Sequence, residues 1–578
     1  MAPIIPICNR RYRMRLLGLA ICVVAMAAAW IPPAYAVQDD PKDETDVKQY
    51  FAARLADIDN RNKDALSGYL GLLKDNIDSS ALADRVLDNA MRSGDMAAAL
   101  IAARALELKN QANGTTSILL FADAFRRRDW ANAEIAAAEF GVKSGYGFAA
   151  PMLQSWINIA RNKPHGFEIS PANEESTLAF YSTDQRVYFE LAAGNLQEAR
   201  SLLATFRGMD ADFARDLLIQ AAPIYAANGE REFAESLIRG VADSDYLSKA
   251  AKAHKNSTGA SLAPLKGVAT LHTRLAGALI EQNAPDQGLI FARVALWLDP
   301  QSDAARRTLA RALQALKSDD AAQLTWSSIN MKSPYWPAAI NEQVRYYSGI
   351  GQHETAQKLA DTAFAQRRDS AYLRLLRAYA QEAGGNHQQA SLIYEQLIKE
   401  TQGNRSDPVQ RALYLLFYAT ALDKSGKWGE AKLHLDQARQ IDPKNPYILN
   451  YLGYGLLEHG EDLSQALAYV KQAHALSPDS AAITDSLGWG YYVTGDYTRA
   501  VLYLERAVQK SGDDPAINEH MGDAYWQAGR RVDARYAWQT AKLLTDGSNA
   551  ERLAQKLDIG LAKNSALNKI APIISQNP

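Results

Sequence analysis

Asp485, Trp489 and Tyr492 stand four and three residues apart in the stretch DSLGWGYY. On a helix that spacing puts all three on one face. Asn450 and Tyr454 hold equivalent places 35 residues upstream, and Glu519, Asp523 and Trp526 hold them 34 residues downstream. The chemistry these types offer is non-covalent. Trp and Tyr are common anchors for a bound protein segment, and fixed carboxylates orient Lys, Arg or backbone amides. A few anchors worth about 2 kcal/mol each would support micromolar binding after ordering costs. The eight residues Asn450, Tyr454, Asp485, Trp489, Tyr492, Glu519, Asp523 and Trp526 form the candidate partner-binding groove. Packing between neighbouring helices is the competing use, above all for Trp489 and Trp526.

Covalent chemistry finds no comparable footing. The nine histidines are scattered singly. No HExxH, GxSxG or GxxxxGK[ST] occurs, and the glycines of GYGFAA (145–150) stand too close for a dinucleotide fingerprint. His520 beside Glu519 and Asp523 is the one metal-like grouping, and a structural or groove role is expected for it. The expectation is a protein without catalytic residues, metal or cofactor.

The first 36 residues read as an address rather than as structure. Arg10, Arg11, Arg13 and Arg15 precede the apolar run LLGLAICVVAMAAAW, and Ala34-Tyr35-Ala36 is a small-x-small cleavage site. Cleavage is expected after Ala36, with translation starting at Met1 or Met14. The run is short for a membrane span. Both cysteines, Cys8 and Cys22, lie inside the first 36 residues, and Ile21 before Cys22 does not suit lipidation. Of 63 basic residues the leader holds four arginines, so 59 remain against 65 acidic ones. That balance argues against a nucleic-acid partner. A soluble periplasmic protein is expected, with no transmembrane segment after cleavage and peripheral envelope association open.

The elements that must position the groove show themselves as a repeat. Gly453, Gly488 and Gly522 are 35 and 34 residues apart, as are Gly460, Gly495 and Gly529. Ala466, Ala500 and Ala534 follow at intervals of 34, and so do Ala473, Ala507 and Ala541. Gly426, Ala431 and Ala438 extend the columns upstream, and Pro443 and Pro478 each follow an alanine by five. Each unit reads as two amphipathic helices. A small residue lets the backbones approach, and large neighbours such as Tyr491 and Leu504 fill the space around it. Weaker units start at Leu279, Ala310, Gly351 and Gly385, and a turn-plus-five spacing recurs at Gly94/Ala99, Gly194/Ala199 and Gly229/Ala234.

This pattern resembles the tetratricopeptide repeat, in Leu487-Gly488, Tyr491, Gly495, Ala500, Ala507 and their counterparts. The resemblance covers roughly 47–545 and is clearest over 408–544. It implies an all-α solenoid of about a dozen helix hairpins wound into a right-handed superhelix. The expected organisation is a leader (1–36), a divergent N-terminal block (37–243), a hinge (244–267), a C-terminal array (268–544), a capping helix (545–563) and a flexible tail (564–578). LGYGLLEHG, DSLGWGYYVTG and HMGDAYWQAGR in succession look like exported envelope tetratricopeptide proteins of Gram-negative bacteria. The resemblance implies a scaffold or adaptor that binds a protein or peptide in its concave groove, with delivery of clients to a periplasmic protease as one task. The alternative is a structural scaffold of an envelope assembly or polysaccharide-export machine.

Overall fold

The computed structural model describes residues 44–168, 177–206, 209, 211–238, 260–401, 407–545 and 547–561. The expected leader and tail lie outside these residues. No strand occurs among the described residues. The helices are α1 Glu44–Ile58, α2 Asn62–Asp75, α3 Ser80–Ser93, α4 Met96–Leu108, α5 Gly114–Arg126, α6 Trp130–Lys143 and α7 Ala150–Ala160. There follow α8 Thr177–Ala193, α9 Leu196–Leu203, α10 Asp212–Ala227, α11 Arg231–Ile238, α12 Pro264–Glu281, α13 Pro285–Leu298, α14 Asp303–Ala315 and α15 Asp319–Ser327. The series continues with α16 Trp336–Gly349, α17 His353–Gln366, α18 Ala371–Ala383, α19 His387–Glu400, α20 Pro408–Lys424, α21 Trp428–Ile441 and α22 Pro446–Glu458. It ends with α23 Leu463–Leu476, α24 Ala481–Val493, α25 Tyr497–Lys510, α26 Pro515–Gln527, α27 Arg531–Leu543 and α28 Gly547–Ile559.

One local device makes the hairpins. A residue with positive φ ends the first helix, and a buried small residue follows five positions later. Gly94/Ala99, Gly194/Ala199, Gly351/Ala356, Gly426/Ala431, Gly495/Ala500 and Gly529/Ala534 all obey it. The small partner inside the first helix is equally constrained. A Cβ on Gly488 would stand 2.6 Å from Leu504 Cγ, and one on Gly522 would stand 2.4 Å from the Trp538 ring. Caps then start each new unit. The side chains of Asn445, Ser480 and Asp514 accept backbone N–H bonds from the first turns of α22, α24 and α26. Pro443 and Pro478 fall just beyond α21 and α23, where a helix cannot continue.

The chain divides into two compact units, residues up to Gln343 and residues from Val344, with the division inside α16. The expected boundary at 244–267 is corrected. Residues 244–259 lie outside the described ones, and Pro264–Gly267 form the first turn of α12. Proline is favoured there, and Gly267 lies so close to Trp156 of α7 that a Cβ would meet the ring at 2.0 Å. Gly267 is therefore packed into the core of the first unit.

The first unit also folds back on itself, because α13 packs on α3 and α5. Arg293 donates to the Arg92 carbonyl at 3.1 Å, Arg92 pairs with Asp286 at 3.1 Å, and Tyr146 donates to Gln287 at 2.7 Å. The unpaired α7 occupies part of the expected irregular stretch 145–177.

In the second unit the hairpins α18/α19 through α26/α27 stack in sequence, and α28 closes the series within the expected 545–563.

Candidate partner-binding face

The first helices of successive hairpins, α22, α24 and α26, carry the eight candidate residues. They gather into two clusters. The first is built around a histidine that the groove reading left out. His520 Nδ1 lies 2.9 and 3.0 Å from the two oxygens of Asp485, and both residues are buried. Trp489 stacks on the imidazole with centroids 4.3 Å apart and on Tyr492 at 4.6 Å. Its indole N–H donates to Glu458 Oε1 at 2.6 Å. The Tyr454 ring lies 6.4 Å from His520. Tyr454, Trp489 and Tyr492 are half-buried. Asn450 is half-buried too, and its buried Oδ1 has no hydrogen-bond partner.

Burial and charge compete at this cluster. Burial alone would pull His520 down, but the Asp485 carboxylate, with Glu458 and Glu519 near, outweighs it and raises its pKa. Burial pushes Glu458 up, against the pull of His520.

The second cluster lies beneath α28. Glu519 is fully buried and accepts from both ends of the Arg552 guanidinium and from Lys556 Nζ at 2.6 Å. Burial would raise its pKa, yet Lys556 and Arg552 hold it below the usual value. Asp523 takes Lys556 at 2.8 Å and the Trp538 indole N–H at 2.8 Å, and burial leaves its pKa raised. Trp526 donates to the Leu561 carbonyl at 3.1 Å, and Gly560 lies against its ring.

The open acidic floor expected from the sequence is therefore corrected. Asp485, Glu519 and Asp523 are spent inside the molecule, because a carboxylate this deep must find a cation or a donor. Trp526 is covered by the chain itself. Asn450, Tyr454, Trp489 and Tyr492 keep surface toward the inner face. A comparable joint appears two hairpins earlier, between α20 and α22, where Tyr451 donates to Asp423 at 3.1 Å and His459 lies 3.2 Å from it. The sequence held a signal for these partners. His520 follows Asp485 by 35 residues, one more than the repeat, and Arg552 and Lys556 stand four apart just after the last hairpin.

The first unit holds a separate, small charged cleft between α8, α10, α12 and α14. Arg307 bridges Asp212 and Asp216 at 3.2 Å, and Arg311 meets Asp212 at 2.9 Å. Burial would raise Asp212, but Arg307, Arg311 and Arg215 hold it at about 2. These charges answer one another across the cleft. Among the described residues, no group of three or more His, Cys, Asp or Glu is placed to hold a metal ion. No described helix is long and apolar enough to cross a membrane.

No protein-family model matches the chain. A TPR repeat-containing protein of Pseudomonas aeruginosa is 29% identical over 194 residues, 33% of this chain and 32% of that protein. The Protein CTR9 homolog of Arabidopsis thaliana is 26% identical over 211 residues, 34% of this chain and 18% of that one. The chain thus spans a third or less of the length of these curated relatives. Among solved structures, the APC/C hetero-tetramer Cut9–Hcn1 is similar at TM-score 0.35 and 15% identity, over 89% of this chain and 96% of that one. MamA is similar at TM-score 0.24 and 18% identity, over 31% of this chain and 96% of that one. With the 34-residue register, the stacked hairpins and the Pseudomonas relative in view, the chain belongs with the tetratricopeptide-repeat proteins.

Proposed function

We propose that the chain is a non-catalytic interaction scaffold, exported to the periplasm, whose second unit holds a protein or peptide segment on its inner face. The observation that carries this reading is the half-exposed aromatic platform of Tyr454, Trp489 and Tyr492. Its rings are held from behind by Glu458 and by the Asp485–His520 pair. Rigid, partly open aromatic faces lose little entropy when a partner covers them. Delivery of clients to a periplasmic protease is the task that suits such a platform.

The test is affinity capture from an envelope fraction with the wild type and a Tyr454→Ala/Tyr492→Ala variant, after circular dichroism has shown equal helicity. These two rings are better probes than Asp485 or Trp526, whose loss would loosen the helices themselves. A partner lost only with the variant supports the platform, and a protease or its substrate among the lost proteins supports the adaptor role. An unchanged set of partners removes the inner face from consideration.

A further inference from the structure

The second helices of the second unit carry a regular feature on their outer side. On four of its six second helices an exposed apolar residue stands two positions after the buried alanine, while α17 has exposed Lys358 there. Leu392 follows Ala390, Leu433 follows Ala431, Leu502 follows Ala500 and Tyr536 follows Ala534, with exposures of 56%, 64%, 45% and 71%. The central helix α23 has exposed Ala468 at this position. Single exposed apolar residues are ordinary. Here they recur at one register on α19, α21, α25 and α27, so they fall in line across the stack. The crest around them mixes amides with charges: Gln389, Gln396, Gln437, Gln465 and Gln472 are exposed, and so are Lys399, Lys471 and Arg506.

We propose that this crest is the self-association surface of the protein and that its occupant is a second copy of the chain. The pattern has the symmetry that a two-fold contact requires. An axis lying along α23 reverses the order of the helices, so Leu433 of one copy faces Leu502 of the other and Leu392 faces Tyr536. Ala468, the smallest rung, falls at the axis, where two backbones must come closest. Charge follows the same rule. Glu430 on α21 and Arg499 on α25 each stand one residue before their buried alanine, at the same height, and the two-fold brings them opposite each other twice. Both side chains are more than half exposed. Glu430 has Lys427 at 4.0 Å, and Arg499 reaches Asp496 at 2.7 Å and lies over the Tyr491 ring at 4.9 Å. Five helices spaced roughly 10 Å apart and about 20 Å long give a strip of roughly 800 Å² per copy, the size of a standard specific interface. This surface lies on the helices opposite the inner face and does not depend on the function proposed for that face.

Sedimentation analysis of the purified protein, as its host produces it, tests the idea. The wild type should sediment as a dimer at tens of micromolar, and Leu433→Glu/Leu502→Glu should sediment as a monomer with unchanged helicity and melting. Glu430→Arg and Arg499→Glu should each weaken the dimer about tenfold, because the contact occurs twice, and the double variant should restore it. A wild type that stays monomeric at 100 µM (roughly the upper end of specific contacts this size), a glutamate variant that still dimerises, or a double swap that fails to rescue would each overturn the proposal.

Discussion

At the scale of single residues, glycine separates two jobs that look alike in the sequence. Gly522 meets the Trp538 ring, so Gly522→Ala forces an aromatic core residue aside and should cost about 1–3 kcal/mol. Gly277 lies inside α12 with nothing within 4 Å of a built Cβ. Gly277→Ala should therefore gain stability, by up to about 1 kcal/mol, through helix propensity. Urea midpoints of the two variants should move in opposite directions, and equal losses would refute the distinction. His520 makes a second residue-scale prediction. Its folded pKa lies above its unfolded value, so the stabilisation is fully present below about pH 6.5 and is lost as pH rises through the folded pKa. The second unit should melt at lower temperature at pH 9 than at pH 6. His520→Gln should flatten that slope while leaving Asp485 a hydrogen-bond partner. A wild-type melting temperature that is flat or rises over this interval would show that the pair does not contribute in this way.

At the scale of elements, α28 takes the place of a first helix after the last hairpin. Its Leu553 is fully buried among Trp538, Ala537 and Ala541, while Arg552 and Lys556 answer the buried carboxylates of Glu519 and Asp523. Breaking a buried pair leaves a charge without an answer, so Lys556→Met should destabilise the last hairpin by about 3 kcal/mol. Adding Asp523→Asn should recover part of the loss. Hydrogen exchange in α26 and α27 reads both variants, and unchanged protection in Lys556→Met would show that Arg552 suffices. The hairpins were legible because Gly and Ala mark both the turn and the contact five residues on. Where the same turn uses Arg128 or Lys317, at φ 59 in each case, no residue type announces it, though Ala133 and Ala322 still lie buried five positions later. The candidate face was legible in register and not in use. Helical spacing put Asp485, Glu519 and Asp523 on one side of their helices. Only the packed neighbours show that those carboxylates turn toward His520, Arg552 and Lys556 rather than toward open solvent.

At the scale of the molecule, the two units are held by different kinds of contact, and that difference was hidden from the sequence. Period and turn residues specify each hairpin. The meeting of Arg92 and Tyr146 with Arg293 and Gln287 depends on small rotations added over many helices. The second unit is a linear stack, in which each hairpin touches its neighbours and stability is approximately a sum of local terms. The first unit ties its ends together through α13, and Arg293, drawn down to about 10 by burial, is held in that closure by the Arg92 carbonyl. Closure removes the free end from which a stack frays. Native-state hydrogen exchange should therefore show α3, α5 and α13 opening together with one shared free energy, whereas protection in the second unit should grade from its last hairpin inward. Arg293→Ala takes away the donor at the seam. It should lower protection of α3, α5 and α13 by a similar amount and leave α22 to α27 unchanged. If α13 alone loses protection, the seam is a surface contact between independent hairpins, and the first unit is a linear stack like the second.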